Sequence, residues 1–243
     1  MEGTGGSSEA RSRPRSQAAS APPVQEHWAR NWGAVVVLGV MALAAFAKLG
    51  EDVLHHETLA FDSAVRTWVL AHRPAPLLSF FFLVTTIGSV APMVVYAVIG
   101  ACVLMLRGRP VVASTVLVAP AAAVVAYLAL KKVFARTRPS GIGNMFEGTY
   151  SFPSAHATAS AAICCTLAYV FWRERLVPGA AAVLFAVLIP VLVGASRVYL
   201  DVHWATDVLG GWSAGLFIAA LSAGSYEASR RVRARRQLHE EHV

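Results

Sequence analysis

Charge is the first thing this chain lacks. Only 14% of its 243 residues are Asp, Glu, Lys or Arg, while 56% are hydrophobic; soluble domains carry roughly 25% charged residues. That shortage, together with several long uncharged runs, excludes an ordinary soluble helical domain. Cysteine is scarce as well. Cys102, Cys164 and Cys165 all lie inside apolar runs, so they read as small buried residues, not as a disulfide framework or a zinc site. The start of the chain has neither the short basic segment nor the early apolar stretch of a cleaved leader. Residues 1–27, rich in Gly, Ser, Ala, Pro and Arg, offer too few large apolar side chains to offset the entropy of ordering and are expected to be disordered. No internal repeat and no second domain is visible.

What the chain has instead is hydrophobic length. Six runs, approximately Trp32–Lys48, Ser89–Leu106, Val111–Leu130, Pro153–Trp172, Val177–Val193 and Trp204–Tyr226, hold about 17–23 residues each, enough to cross a hydrocarbon core of ~30 Å. The expected fold is all-α, an integral-membrane bundle of six transmembrane helices. The stretch Glu51–Phe82 mixes acids, Arg66, Arg73, Trp68 and prolines and reads as an amphipathic interfacial segment. Pro120 and Pro190 fall inside spans, where they are expected only to kink the helix. One membrane domain over residues 28–227 is thus expected between a cytoplasmic tail (1–27) and a basic cytoplasmic tail (228–243).

The net charge of +7 and the isoelectric point near 9.8 do not point to nucleic acid, because the cations sit at the ends of apolar runs and not along one surface. Arg107, Arg109, Arg173, Arg175 and the arginines of both tails belong to one side, which places both termini in the cytoplasm. The third connection breaks the rule: Lys131, Lys132, Arg136 and Arg138 fall on the outer side. A basic cluster set against the topological preference needs another reason, and anion binding supplies one.

Three stretches hold nearly all the polar groups flanking the later spans: Lys131 to Pro139, Ser151 to His156, and Ser196 to Asp207. The assumed topology brings all three to the outer face. Lys131, Arg138 and Arg197 would each cost about 2.5–3.5 kcal/mol at the bilayer centre, a penalty that convergence on one anion relieves. Arginine forks suit phosphate oxygens. A helix starting at Pro153 would present the N–H groups of Ser154 and Ala155 to that anion. His203 and Asp207, spaced i, i+4, share a helix face, so the carboxylate can orient the imidazole while its other nitrogen attacks. His156 is placed to protonate a leaving alcohol. Each residue alone has a plainer role, a snorkelling lysine or a structural histidine; together, at these spacings, they read as a phosphate site. His55, His56 and His72, beside Glu51, Asp52 and Glu57, show no ligand spacing and read as solvated loop residues.

Lys131–x6–Arg138–Pro139, Pro153–Ser154–Ala155–His156 and Ser196–Arg197–x5–His203–x3–Asp207 resemble the type-2 phosphatidic acid phosphatase (lipid phosphate phosphatase) superfamily. The resemblance runs from about the first span to the last. It implies phosphate binding by Lys131, Arg138, Ser154, Ala155 and Arg197, a phosphohistidine on His203, Asp207 behind it, His156 as general acid, and no metal or other cofactor. It also implies a bacterial cytoplasmic membrane and a phosphorylated lipid as partner, of the undecaprenyl pyrophosphate, phosphatidylglycerophosphate or phosphatidic acid class. Arg136 matches a basic residue often found in the first motif. Ala155 departs from the usual glycine of the second motif; it keeps its N–H, and only a positive φ would strain it. An anion transporter, a halide-oxidising vanadate-binding relative and a non-catalytic phospholipid-binding protein are the competing readings.

Overall fold

The computed structural model describes residues 24–139 and 150–240, with side chains over 32–139 and 150–233. The disorder expected over residues 1–27 lies outside them as far as residue 23, whereas residues 24–27 form the first turn of a helix. The described residues form eight helices and no strand: α1 (Val24–Leu54), α2 (Leu59–Ala71), α3 (Ala75–Ile87), α4 (Val90–Leu106), α5 (Pro110–Phe134), α6 (Ala155–Arg173), α7 (Gly179–Tyr199) and α8 (Ala205–Glu240). Five of them are long and apolar enough to cross a membrane, and α3 with α4, bent by 51° at their junction, makes a sixth as one broken span. The six expected runs fall on α1 and α4 to α8.

The interfacial reading of Glu51–Phe82 needs correction. Residues 51–54 continue α1, only α2 is a separate short helix, and α3 runs on past Phe82 to Ile87. The reason lies in composition: Leu77 to Leu83 is almost wholly apolar and joins the broken span, whereas α2 buries Asp62 against the bundle. At the other end α8 continues beyond Tyr226 to Glu240, so the helix runs into the segment read as a basic tail.

Packing is set by small residues. Without a hydrophobic drive between helices in lipid, close approach supplies the attraction. Gly211 and Gly215 of α8 lie against Ala157, Ala161 and the α6 backbone, and a methyl group on Gly215 would come within 2.6 Å of the Thr158 carbonyl. Gly215→Leu therefore forces α8 off α6 and is expected to lower the thermal midpoint sharply, as a melting curve in detergent would read. Above this seam α6 is enclosed by α4, α5 and α8, with Met93, Leu104, Val116, Ile163 and Val170 in the core. The outer faces are inverted relative to a soluble protein: Val36, Val37, Val40 and Met41 of α1 and Val183, Leu184 and Val187 of α7 are exposed, a surface suited to lipid. Cys102 is exposed on such a face and Cys165 is half-buried, so only Cys164 is the buried residue expected of all three.

Pro120 and Pro190 lie inside helices as expected. The Pro190 carbonyl accepts the Trp212 indole N–H at 3.0 Å, so this tryptophan pins α7 to α8. At the end bearing Arg109 and Arg173, Glu227 is fully buried and accepts hydrogen bonds from Tyr169 (2.8 Å) and Arg173 (2.6 Å). Glu174 accepts from Tyr226 at 2.7 Å. Removing one partner of a buried pair costs about 3–5 kcal/mol. Glu227→Ala is accordingly expected to lower the unfolding midpoint, measured by thermal melting, without touching the chemistry at the opposite end.

Candidate active site

The ends of α1, α5 and α7, the starts of α6 and α8, and all of α2 meet at the other end of the bundle. Each motif is delivered there by a local device. α5 ends at Ala135, whose φ of 43° is left-handed and whose N–H closes on the Lys131 carbonyl; the chain then turns into Arg136–Pro139. Asp201 has φ 58°, a conformation Asp tolerates better than most residues, and Arg66 of α2 clamps its carboxylate at 2.6 and 2.8 Å. That turn sends the His203 N–H back to the Arg197 carbonyl, 3.3 Å away.

His203 is buried, 2% exposed. Its Nδ1 lies 3.3 Å from Asp207 Oδ2 and its Nε2 lies 3.1 Å from Arg138 Nη1. A guanidinium only donates, so Nε2 must be the acceptor and the single proton of a neutral ring sits on Nδ1, facing Asp207. Burial drives the imidazole pKa down to about 4, the nearby Asp207 carboxylate only partly opposing it. At neutral pH the ring is uncharged and Nε2 carries a lone pair.

Asp207 is held on both oxygens. Oδ2 accepts from the Trp204 N–H at 2.8 Å and from the Ser151 hydroxyl, and Oδ1 accepts from Arg136 Nη1 at 2.7 Å. Arg136 in turn donates to Asp62 Oδ2 at 2.6 Å and Thr58 at 3.0 Å, while Asp62 accepts from the Thr206 N–H and hydroxyl. Arg136 is thus a strut between α2 and α8, not a member of the cradle.

Two of the three cations expected to hold phosphate meet at one carbonyl oxygen. Lys131 Nζ donates to the Tyr150 carbonyl at 2.5 Å, and Arg138 Nη2 reaches the same oxygen at 3.4 Å. Arg197 donates to Thr85 of α3 at 2.7 Å. All three side chains are buried. His156 stands in the first turn of α6, half-buried, in the segment tied to Asp207 by the Ser154 N–H, which donates to the Asp207 carbonyl at 3.0 Å. Two expectations change here. α6 begins at Ala155, not Pro153, because Ser151 N–H is held by the Arg136 carbonyl and Ser154 N–H by Asp207, which fixes residues 151–154 as a turn. The Ser154 N–H is therefore engaged, and what Ser154 offers a ligand is its buried hydroxyl, which has no hydrogen-bond partner. Ala155 is the first helical residue and has no positive φ, so the methyl that replaces glycine's hydrogen brings no backbone strain, and its N–H belongs to a turn without intrahelical partners.

Sequence reasoning passed over Asp62, Thr58, Ser151, Thr206, Thr85 and the Arg66–Asp201 pair. Asp62 is one acid among several in a polar stretch, and nothing local sets it apart. No group of three or more His, Cys, Asp or Glu suited to a metal occurs among the described residues.

Residues 112–231 match the family description "PAP2 superfamily". The chain is 38% identical over 112 residues to phosphatidylglycerophosphatase B of Bacillus subtilis, covering 43% of this chain and 53% of that protein. It is 37% identical over 75 residues to undecaprenyl-diphosphatase of Sulfolobus acidocaldarius, covering 30% and 32%. The alignments thus span about half or less of those relatives' lengths. A solved structure, the transmembrane PAP2-type phosphatidylglycerolphosphate phosphatase of Bacillus subtilis, superposes with a TM-score of 0.69 at 26% identity, covering 78% of this chain and 96% of that one. With the motif-bearing spans inside the matched segment and a solved relative of the same helical architecture, the chain belongs to the PAP2 superfamily.

Proposed function

We propose that the protein is a multi-pass membrane phosphatase that hydrolyses a phosphomonoester or diphosphate lipid at the extracytoplasmic face, with both termini in the cytoplasm. One observation carries the reading: a buried, neutral His203 oriented by Asp207 at Nδ1, with Nε2 facing Arg138, the cation that meets Lys131 at the Tyr150 carbonyl. The substrate's phosphoryl oxygens take up Arg138, Lys131, Arg197, the Ser154 hydroxyl and the Ala155 N–H, and Arg138 shifts from Nε2 to the phosphate. The Nε2 lone pair then forms the N–P bond while the P–O bond to the leaving group breaks. Asp207 stabilises the imidazolium that develops, and His156 gives its proton to the leaving oxygen. Water attacks the phosphohistidine, His156 takes back a proton, and inorganic phosphate leaves. No step uses a metal ion.

Phosphate release from undecaprenyl diphosphate, phosphatidylglycerophosphate and phosphatidic acid by purified protein in EDTA tests the reading. Silence on every one of them in folded protein would refute it. The pH profile gives a second check. His203 must be neutral to attack, and its folded pKa near 4 lies below the ordinary value of 6.5, so the nucleophilic form persists at acid pH and is lost only as pH falls through about 4. Asp207 raises that pKa; Asp207→Asn is therefore expected to move this acid limb to lower pH while reducing the rate. A limb that moves upward would contradict the assigned pairing.

A further inference from the structure

Trp204 stands directly after His203 and directly before α8, and it is half-buried. Three of its groups are engaged at once. Its backbone N–H donates to Asp207 Oδ2 at 2.8 Å. Its indole N–H donates to the Thr137 carbonyl at 3.0 Å. The guanidinium carbon of Arg136 lies 5.7 Å from the centre of its ring, within cation–π range. A tryptophan that only anchors a chain at a membrane surface needs an amphipathic ring. It does not need a particular backbone acceptor 67 residues away.

That acceptor matters because of what flanks it. Thr137 lies between Arg136, the strut behind Asp207, and Arg138, whose Nη1 is 3.1 Å from His203 Nε2 and 2.7 Å from the Val202 carbonyl. Residues 136–139 belong to no helix, so no i, i+4 ladder fixes their path. The Ser151 N–H holds the Arg136 carbonyl at 2.8 Å, and the indole holds the next carbonyl along. Together these bonds set the backbone from which the Arg138 side chain departs. Attack on a bound ester needs the reacting atoms about 3–3.5 Å apart, and a displacement of about 1 Å can cost on the order of 10²-fold in rate.

We propose that Trp204 is a positioning residue: its indole N–H, bonded to the Thr137 carbonyl, fixes Arg138 relative to His203 Nε2, so that a phosphoryl group held by Arg138 lies on the line of attack. The inference rests on the phosphatase reading above and adds to it a residue that acts through Arg138. The same side chain closes the arrangement from the other side, because its ring meets Arg136 and its N–H meets Asp207. Nucleophile, orienting carboxylate and phosphate-binding arginine are thereby referred to one rigid ring.

Trp204→Phe tests this, because it keeps the backbone N–H to Asp207 and an aromatic face for Arg136 and removes only the donor to Thr137. On whichever of undecaprenyl diphosphate, phosphatidylglycerophosphate and phosphatidic acid the wild type hydrolyses fastest, kcat/KM is expected to fall about tenfold, the scale of one hydrogen bond. Inhibition by vanadate should weaken by a similar factor. The thermal midpoint and the acid limb of the pH profile are expected to stay in place, since Asp207 keeps its bond to residue 204. In an Arg138→Lys background the same change should cost less than about twofold, because the group it positions is already gone, whereas in an Arg197→Lys background the full loss should persist. An unchanged kcat/KM, an equal loss in both backgrounds, an acid limb that moves, or a loss matched by a fall in thermal midpoint overturns the inference and leaves the phosphatase reading standing. Wild-type protein that releases phosphate from none of the three lipids overturns the phosphatase reading itself.

Discussion

Replacing His203 with alanine is expected to abolish turnover, with a fall in kcat of at least ~10⁴-fold, the scale seen when a covalent nucleophile and its partner are disabled. The size follows from the geometry. The proposed cradle can still bind phosphate through Lys131, Arg138, Arg197, Ser154 and Ala155, but the bound ester then meets no lone pair. Because binding survives in the variant, KM is expected to move far less than kcat. His203 is buried and its ring contacts Arg138 and Asp207, so its removal also leaves a cavity; a thermal midpoint that vanadate, a phosphate mimic, still raises in the variant would show that the cradle has kept its shape. A stopped reaction with radiolabelled substrate should trap an acid-labile, base-stable phosphoenzyme in the wild type and none in the variant. Turnover that survives His203→Ala would sink the phosphohistidine mechanism, whatever else the site does.

Arg136 is expected to produce the second largest effect although it lies outside the cradle. It bridges Asp62 at 2.6 Å and Asp207 at 2.7 Å, and both carboxylates are wholly shielded from solvent. Truncating one member of such a network leaves buried charges without compensation, which costs about 3–5 kcal/mol. Arg136→Met should therefore lower both the thermal midpoint and kcat, since Asp207 loses the contact that sets its oxygens behind His203. Arg136→Lys keeps the charge but has no planar fork to span two carboxylates, so it should restore part of the stability and little of the rate. Asp62→Asn leaves the Arg136–Asp207 bond in place and should reduce kcat less than Arg136→Met. If Arg136→Met matched wild type in kcat, α2 would have no part in positioning the nucleophile.

Much of the molecule is legible before any fold. Runs of apolar residues report the solvent around a helix, because an uncharged stretch near twenty residues has the length of a membrane crossing and exceeds what a soluble core helix needs. The three polar stretches are legible for a related reason: Lys131, Arg138, Arg197, His203 and Asp207 stand where burial is costly, and a costly group is retained for its chemistry. The boundaries are less readable. Pro153 is a good helix starter by local preference, yet backbone bonds to Arg136 and Asp207 hold residues 151–154 in a turn, and the helix waits until Ala155. The expected interfacial segment closes at Phe82, whereas α3 runs five residues further to Ile87 because the apolar residues before and after Phe82 belong to the broken span.

Sequence alone determined the apolar surroundings, the runs able to cross a membrane and the residues from which a phosphate site is proposed. Each of these depends on spacing within one segment or on the cost of a charged group in hydrocarbon, and both can be read from residue types. The tertiary structure decided which partner each polar group takes. Arg136 is 71 residues from Asp207 and 74 from Asp62, Thr85 is 112 from Arg197, and no helical period relates such positions. It also decided that the Ser154 N–H serves the Asp207 carbonyl. In a low-dielectric interior an unpaired buried donor is costly, and which acceptor each donor finds is settled only when distant helices pack.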